Sequence, residues 1–193
     1  MTAVSWVEIT VEVIDVLDRL GIPYVIGGSA ASIVHGLVRT TVDTDLVADI
    51  KHEHVADFLA ALEREFFVQP EAIREALVRR TSFNVIHKNS MFKVDIFVPK
   101  PQTIGEAQLQ RRKRKAISSD PERTAWVSSA EDIILAKLEW FRLGGEVSER
   151  QWRDVLGVLK TQARTLDMLY LAAAAKGYRV DDLLQAALNA LDE

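Results

Sequence analysis

The chain opens with Trp6, Ile9, Val13, Val16, Leu17 and Leu20 at intervals that fall on one helical face, and Gly21 supplies a stop. Pro23 then precedes Tyr24-Val25-Ile26, a short apolar run ending at Gly27-Gly28. That pattern predicts a strand feeding a glycine turn. Ser29 is placed to cap a second helix carrying Ala30, Ile33 and Val34 and closing near Gly36. Residues 43–50 alternate and are rich in Val and Leu, which predicts a strand. Over 54–65, Val55, Phe58, Leu59 and Leu62 share a helical face. Residues 83–87 and 91–98 predict two strands joined at Lys88-Asn89-Ser90. In the second of these, Phe92, Val94, Ile96 and Val98 take one face and leave Lys93, Asp95 and Phe97 on the other.

After Pro99 and Pro101 the pattern changes. Strand signal is confined to the stretch from Arg123 to Val127, and helical periodicity runs over 129–143, 148–161, 166–175 and 180–191. Strands mixed with helices, followed by helices in series, predict an α+β fold. The expected division is a small mixed sheet backed by helices over residues 1–100 and a mainly helical part over 101–193, a C-terminal bundle that closes the site.

Composition narrows the class. At 193 residues, 48% hydrophobic and 27% charged, the chain reads as globular and long enough for a sizeable core. It has no cysteine, which excludes disulfides and thiolate metal sites and fits a cytoplasmic location. No apolar run approaches the roughly 20 residues needed to cross a bilayer, and no signal-peptide pattern opens the sequence, so no membrane association is expected. The net charge of −4 leaves room for a local basic patch only.

Candidate chemistry lies between Gly27 and Asp45. A strand that ends in two glycines and a serine at a helix start lets a phosphate approach the backbone, where free N–H groups favour an anion. Asp43 and Asp45, two apart on a strand, point to one face and can share a hard cation. Asp95 stands on a later strand and also faces away from the apolar side; if the strands are neighbours, it adds a third carboxylate to a two-metal site. Each piece has a plainer reading. Gly-Gly-Ser after a strand is commonly a tight turn, Asp-x-Asp is commonly turn chemistry or a solvated edge, and Asp95 alone can be a solvent-facing residue.

Order and spacing together give more. Gly27-Gly28-Ser29, His35-Gly36, Arg39-Thr40 and Asp43-Thr44-Asp45, with Asp95 as a later strand acid, resemble the polymerase-beta-like nucleotidyltransferase superfamily. Within it the pattern is similar to the small bacterial branch that includes AbiEii-type toxins. Ser129-Ala130-Glu131-Asp132, Lys137 and Asp154 match a later element of that pattern. The resemblance implies a nucleotidyltransferase-like fold and metal-dependent transfer of NMP from an NTP to an acceptor hydroxyl on tRNA or protein. It also implies magnesium (or manganese) held by Asp43, Asp45 and Asp95, with a toxin role and a cognate antitoxin as partner. Gly27, Gly28 and Ser29 would hold the nucleotide's phosphates, Asp95 would help activate the acceptor, Lys137 would contact phosphate, and Asp154 would orient Lys137 or the nucleotide. The alternative is a nucleotide-binding or antitoxin-like module of the same fold that transfers nothing.

Other residues divide between roles. Arg39 either neutralises phosphate or pairs with Asp43 or Asp45. His35 reads as helix-terminal packing, and His52, His54 and His87 lack zinc-ligand spacing. By spacing alone Lys137, inside an apolar stretch, is a snorkelling surface lysine. Asp154 can equally hold two helices together. The run Arg111-Arg112-Lys113-Arg114-Lys115 is expected on a helix, either as a solvated face or as a landing strip for the phosphates of structured RNA. No aromatic side chain is interleaved with it.

Overall fold

The computed structural model describes residues 6–38, 40–119 and 122–192. Helix α1 (Trp6–Arg19) leads into strand β1 (Tyr24–Ile26), helix α2 (Gly28–Val34) and strand β2 (Asp43–Ala48). Helix α3 (Val55–Leu62), strand β3 (Phe66–Val68) and helix α4 (Pro70–Arg79) follow, then the antiparallel pair β4 (Ser82–His87) and β5 (Lys93–Phe97). Helix α5 (Ile104–Arg111) precedes a second antiparallel pair, β6 (Lys113–Ser119) and β7 (Glu122–Val127). Helices α6 (Ala130–Leu143), α7 (Glu149–Gln162), α8 (Met168–Gly177) and α9 (Asp181–Asp192) complete the chain.

The strands form one mixed sheet in the order β3-β4-β5-β2-β1-β7-β6. The expected α+β class holds, and β7 joins the sheet by pairing parallel with β1. Elements additional to the sequence pattern include the short edge strand β3 and helix α4, which starts on Pro70 where a missing N–H costs nothing. A third difference concerns the basic run. Only Arg111 is helical, as the last residue of α5, and residues 113–115 begin strand β6. Pairing with β7 over six residue pairs satisfies that backbone, and period-two alternation buries Ile117.

One sheet face packs on α1 and the helices around it. Thr44 is fully buried there and its hydroxyl meets that of Thr10 at 2.9 Å. The C-terminal helices gather around α6, whose Ile133, Ile134, Leu135 and Leu138 are all fully buried. A helix apolar on most sides is a core helix. Ser129 caps it, accepting the Asp132 N–H at 3.1 Å and donating its hydroxyl to Asp132 Oδ2 at 2.8 Å.

Asp132 also ties three helices together. Its Oδ1 accepts the Tyr170 hydroxyl of α8 at 2.6 Å, and Arg111 of α5 lies 3.4 Å from its Oδ2. The Arg111 guanidinium rests 3.5 Å from the centre of the Tyr170 ring, and Glu131 accepts the Asp167 N–H at 2.9 Å. Burial raises the Asp132 pKa; hydrogen bonds from Tyr170 and Ser129 and the charge of Arg111 oppose that shift. Removing one partner from such a set leaves the others uncompensated. Asp132→Ala should therefore cost about 3 kcal/mol or more, against about 1 kcal/mol for loss of the cap in Ser129→Ala. Urea unfolding of the two variants beside the parent checks the ranking.

Candidate active site

The short strand β1 ends where the chain must turn sharply into α2, and glycine occupies both turning positions. Gly27 donates its N–H to the Asp45 carbonyl at 2.9 Å, which docks the turn on β2. Gly28 is left-handed at φ +52°, and a Cβ there would stand 1.7 Å from Asp45 Oδ2. Only a hydrogen fits between this backbone and that carboxylate. The helix begins at Gly28 with Gly27 as its cap residue, so Ser29 is not the side-chain cap the sequence pattern suggests. Ser29 lies buried inside the first turn, with its hydroxyl 3.5 Å from the Arg150 guanidinium.

Asp43 and Asp45 share a face of β2, and the parallel pairing of β2 with β5 sets Asp45 directly opposite Asp95 and Asp43 opposite Lys93. The three sequence-predicted carboxylates are thus neighbours across two strands. Thr41 fixes the first, donating to the Asp43 carbonyl at 2.8 Å and lying 3.3 Å from its Oδ1. Asp95 pairs with Lys93 at 2.7 Å, which raises the lysine's pKa. Among the described residues, no salt bridge of this kind reaches Asp45. Burial, then the charges of Asp43 and Asp95, push its pKa up to about 6, with Lys137 and Lys93 opposing. Among the described residues, no three His, Asp or Glu side chains converge as a ready metal cage. The set is all oxygen, negatively charged and short of compensation at Asp45, which suits a hard divalent cation.

Asp43 and Asp45 open onto a cavity of about 620 Å³ that Gly27, Gly28, Ser29 and Lys137 also line, whereas Asp95 stands beside Asp45 in register and is not among the lining residues. Lys137 is buried and not a snorkelling surface residue. It donates to Asp154 at 2.7 Å and lies 3.3 Å from Gln151. Asp154 is buried behind it and joins α6 to α7 through this pair. Arg39 lies outside the described residues. His35 is buried, donating from Nε2 to the Ser128 carbonyl at 2.7 Å, and burial lowers its pKa. That is the packing role its position suggests.

Several cavity residues carry no signal in the sequence. Arg150 and Gln151 sit on the first turn of α7, where the pattern reads as an ordinary amphipathic helix. Phe97 and Trp140 face one another edge to face at 6.2 Å on the cavity wall, and Trp140 is half exposed. Glu139 lies in the same wall with its pKa raised by burial.

Comparison with known proteins identifies the fold. The chain is similar to the antibiotic-resistance factor ANT(2'')-Ia, with a TM-score of 0.56 at 15% identity, covering 96% of this chain and 94% of that one. It is similar to the lincosamide antibiotic adenylyltransferase LnuA, solved with lincomycin bound, with a TM-score of 0.52 at 16% identity over 81% and 98% of the two chains. An antigenic nucleotidyltransferase-like protein from Paracoccidioides brasiliensis gives a TM-score of 0.51 at 19% identity over 93% and 91%. The architecture is that of nucleotidyltransferases. No known family pattern matches the sequence, and no curated protein matches it.

Two predictions follow from the Asp45 contact. Gly28→Ala forces either the left-handed turn or the carboxylate to move, and should lower stability by about 1–2 kcal/mol and, if the cavity takes up a metal-bound nucleotide, weaken that uptake. Thermal unfolding and titration with Mn·ATP read the two effects separately. The second prediction concerns pH. The folded chain retains the Asp45 proton up to about pH 6, against a reference value of 3.8. Stability is therefore lost as pH rises through that window, and the full cost is present above it. Asp45→Asn should stabilise the protein by roughly 2 kcal/mol at pH 7. Urea unfolding should show no comparable gain below the reference value, where both states are protonated.

Proposed function

We propose that this protein transfers a nucleoside monophosphate from a nucleoside triphosphate to an acceptor hydroxyl, releasing pyrophosphate. The observation that carries this reading is the acidic set itself. Asp43 and Asp45 lie on the floor of the cavity with Asp95 in register beside them, and the Gly27-Gly28 turn is pressed against Asp45. The nucleotidyltransferase architecture supports it.

In this reading the triphosphate lies against the Gly27–Ser29 turn, where the start of α2 leaves the Gly28 and Ser29 N–H groups without intrahelical partners, the Gly27 N–H being held by the Asp45 carbonyl. Arg150 and Lys137 bring positive charge to its phosphates from α7 and α6. Asp154 holds Lys137 in place, since a buried ammonium needs a fixed counter-charge. Magnesium or manganese, bound by Asp43, Asp45 and Asp95, would neutralise the triphosphate and polarise the reacting phosphoryl group. The acceptor oxygen forms a bond to the α-phosphorus, the bond from that phosphorus to the β-bridging oxygen breaks, and the acceptor's proton passes to Asp95. Positioning and charge neutralisation supply most of the rate enhancement in phosphoryl transfer, so no covalent protein intermediate is required.

An acceptor on tRNA or on a protein, with a toxin role opposed by a cognate antitoxin, rests on the sequence resemblance. A small-molecule acceptor has separate support, because LnuA carries the name of an antibiotic adenylyltransferase and its architecture is shared. The non-catalytic module is the remaining alternative. Incubation with magnesium, each labelled NTP in turn and total tRNA, with RNA and protein separated afterwards, should show transfer by the parent and at least a hundredfold loss in Asp45→Asn. Transfer that survives Asp45→Asn removes the mechanism, and Mn·NTP binding without any transfer establishes the module.

A further inference from the structure

A second cavity, of about 300 Å³, adjoins the first, and Arg80, Pro99 and Lys100 line both. Helix α5 stands between them. Ile104, Gly105 and Gln108 face the active-site cavity, and Glu106, Leu109 and Gln110 face the second. The lining of the second cavity carries four cations, Lys51, Arg80, Lys100 and Arg112, against the acids Asp49 and Glu106. Asp49 and Lys51 cancel one another in a pair at 2.6 Å, which leaves Arg80, Lys100 and Arg112 against Glu106, whose carboxylate accepts the Gln102 N–H at 2.7 Å. In a chain of net charge −4, this is a concentrated positive surface leading out of the active site.

Strand pairing extends that surface. Val47 pairs with Val25, Ile26 pairs with Val127, and Trp126 pairs with Arg114. Side chains alternate along each strand, so Asp45, Val47, Val25, Trp126 and Arg114 all stand on one face of the sheet. Arg112 and Arg114 place their guanidinium carbons 4.9 and 5.1 Å from the Trp126 ring centre. Trp126 is only partly buried, Arg114 is exposed, and buried Arg112 Nε has no hydrogen-bond partner among the described residues. Lys113 and Lys115 alternate to the opposite face of β6, toward His35. The basic run is therefore two surfaces, and Arg111 belongs to neither because Glu131 and Asp132 neutralise it.

We infer that the cations from Lys100 through Arg112 to Arg114, with Trp126, form a track that carries a single-stranded RNA acceptor to the active-site cavity. Spaced cations follow a phosphate backbone, and the partly exposed Trp126 ring beside Arg112 and Arg114 offers an unpaired base an aromatic surface next to positive charge. A duplex offers no free base face to Trp126, and a polyacidic peptide without aromatic residues, such as polyglutamate, has no ring to stack on it. The inference rests on the transferase reading for what the track leads to, whereas binding along the track can be measured without nucleotide.

The test uses the full-length protein and a fluorescein-labelled oligouridylate of about a dozen nucleotides, followed by anisotropy from about 50 to about 200 mM salt. The variant Arg112→Gln/Arg114→Gln should bind about tenfold more weakly, and the slope of log K against log salt should fall by about 1.4. The control Lys113→Gln/Lys115→Gln removes equal charge from the other face and should bind as the parent does. Equal loss in both variants, or loss in neither, overturns the track, as does equally tight binding of polyglutamate. Mn·ATP titrations on the same samples should be unchanged. Their failure in the parent would count against the transferase reading, while the RNA result would still decide the track.

Discussion

The candidate site depends on one close approach, that of the Asp45 carboxylate to the α-carbon of Gly28. A helix start and an acidic side chain occupy space that would otherwise hold a β-carbon. The Gly27 N–H bonded to the Asp45 carbonyl keeps the turn at that distance, and the antiparallel pairing of β1 with β2 sets its height along the strand. The glycine turn and the acid pair are thus a single packed unit. The cost is electrostatic: Asp43 and Asp95 crowd a carboxylate that is already desolvated. Proteins commonly concentrate such unrelieved charge where a charged ligand will relieve it.

The cations approach from the opposite side. Lys137 and Arg150 come from α6 and α7, which are joined by the buried pair of Lys137 with Asp154. That pair contributes less to stability than to aim. Two apolar residues would pack there at lower desolvation cost, but they would not hold an ammonium group at the cavity wall. Lys93 plays a comparable part for Asp95, holding that carboxylate in the absence of a stronger cation.

Much of this is legible in the sequence, and the exceptions have physical reasons. Local periodicity marks α1, β1, β2, β5 and the four C-terminal helices, because each has a clear apolar face. The acids are visible as residues, and their register is not. Asp45 stands opposite Asp95 only because β2 and β5 pair in parallel across some fifty positions of intervening chain, which no local pattern encodes. β6 is hidden for another reason: a run of like charges looks the same on a helix or a strand until its partner is known. Its resolution separates Arg111, buried in an ion pair, from Arg112 and Arg114 against Trp126. Lys137 shows the opposite failure. Spacing makes it a surface residue, and partners far along the chain, Asp154 seventeen positions away and Gln151 fourteen, make burial tolerable.

Strand β1 has a consequence for how the chain acquires this structure. Three residues long, it lies between β2, its near neighbour in the chain, and β7, which is completed only at Val127. During synthesis the first hundred residues can pair β1 on one side, and its other edge remains open until the β6–β7 hairpin arrives. An open central edge invites pairing with other chains. The late hairpin therefore acts as a seal on the nascent sheet, and the interval before it docks is when the polypeptide is most exposed to misassembly.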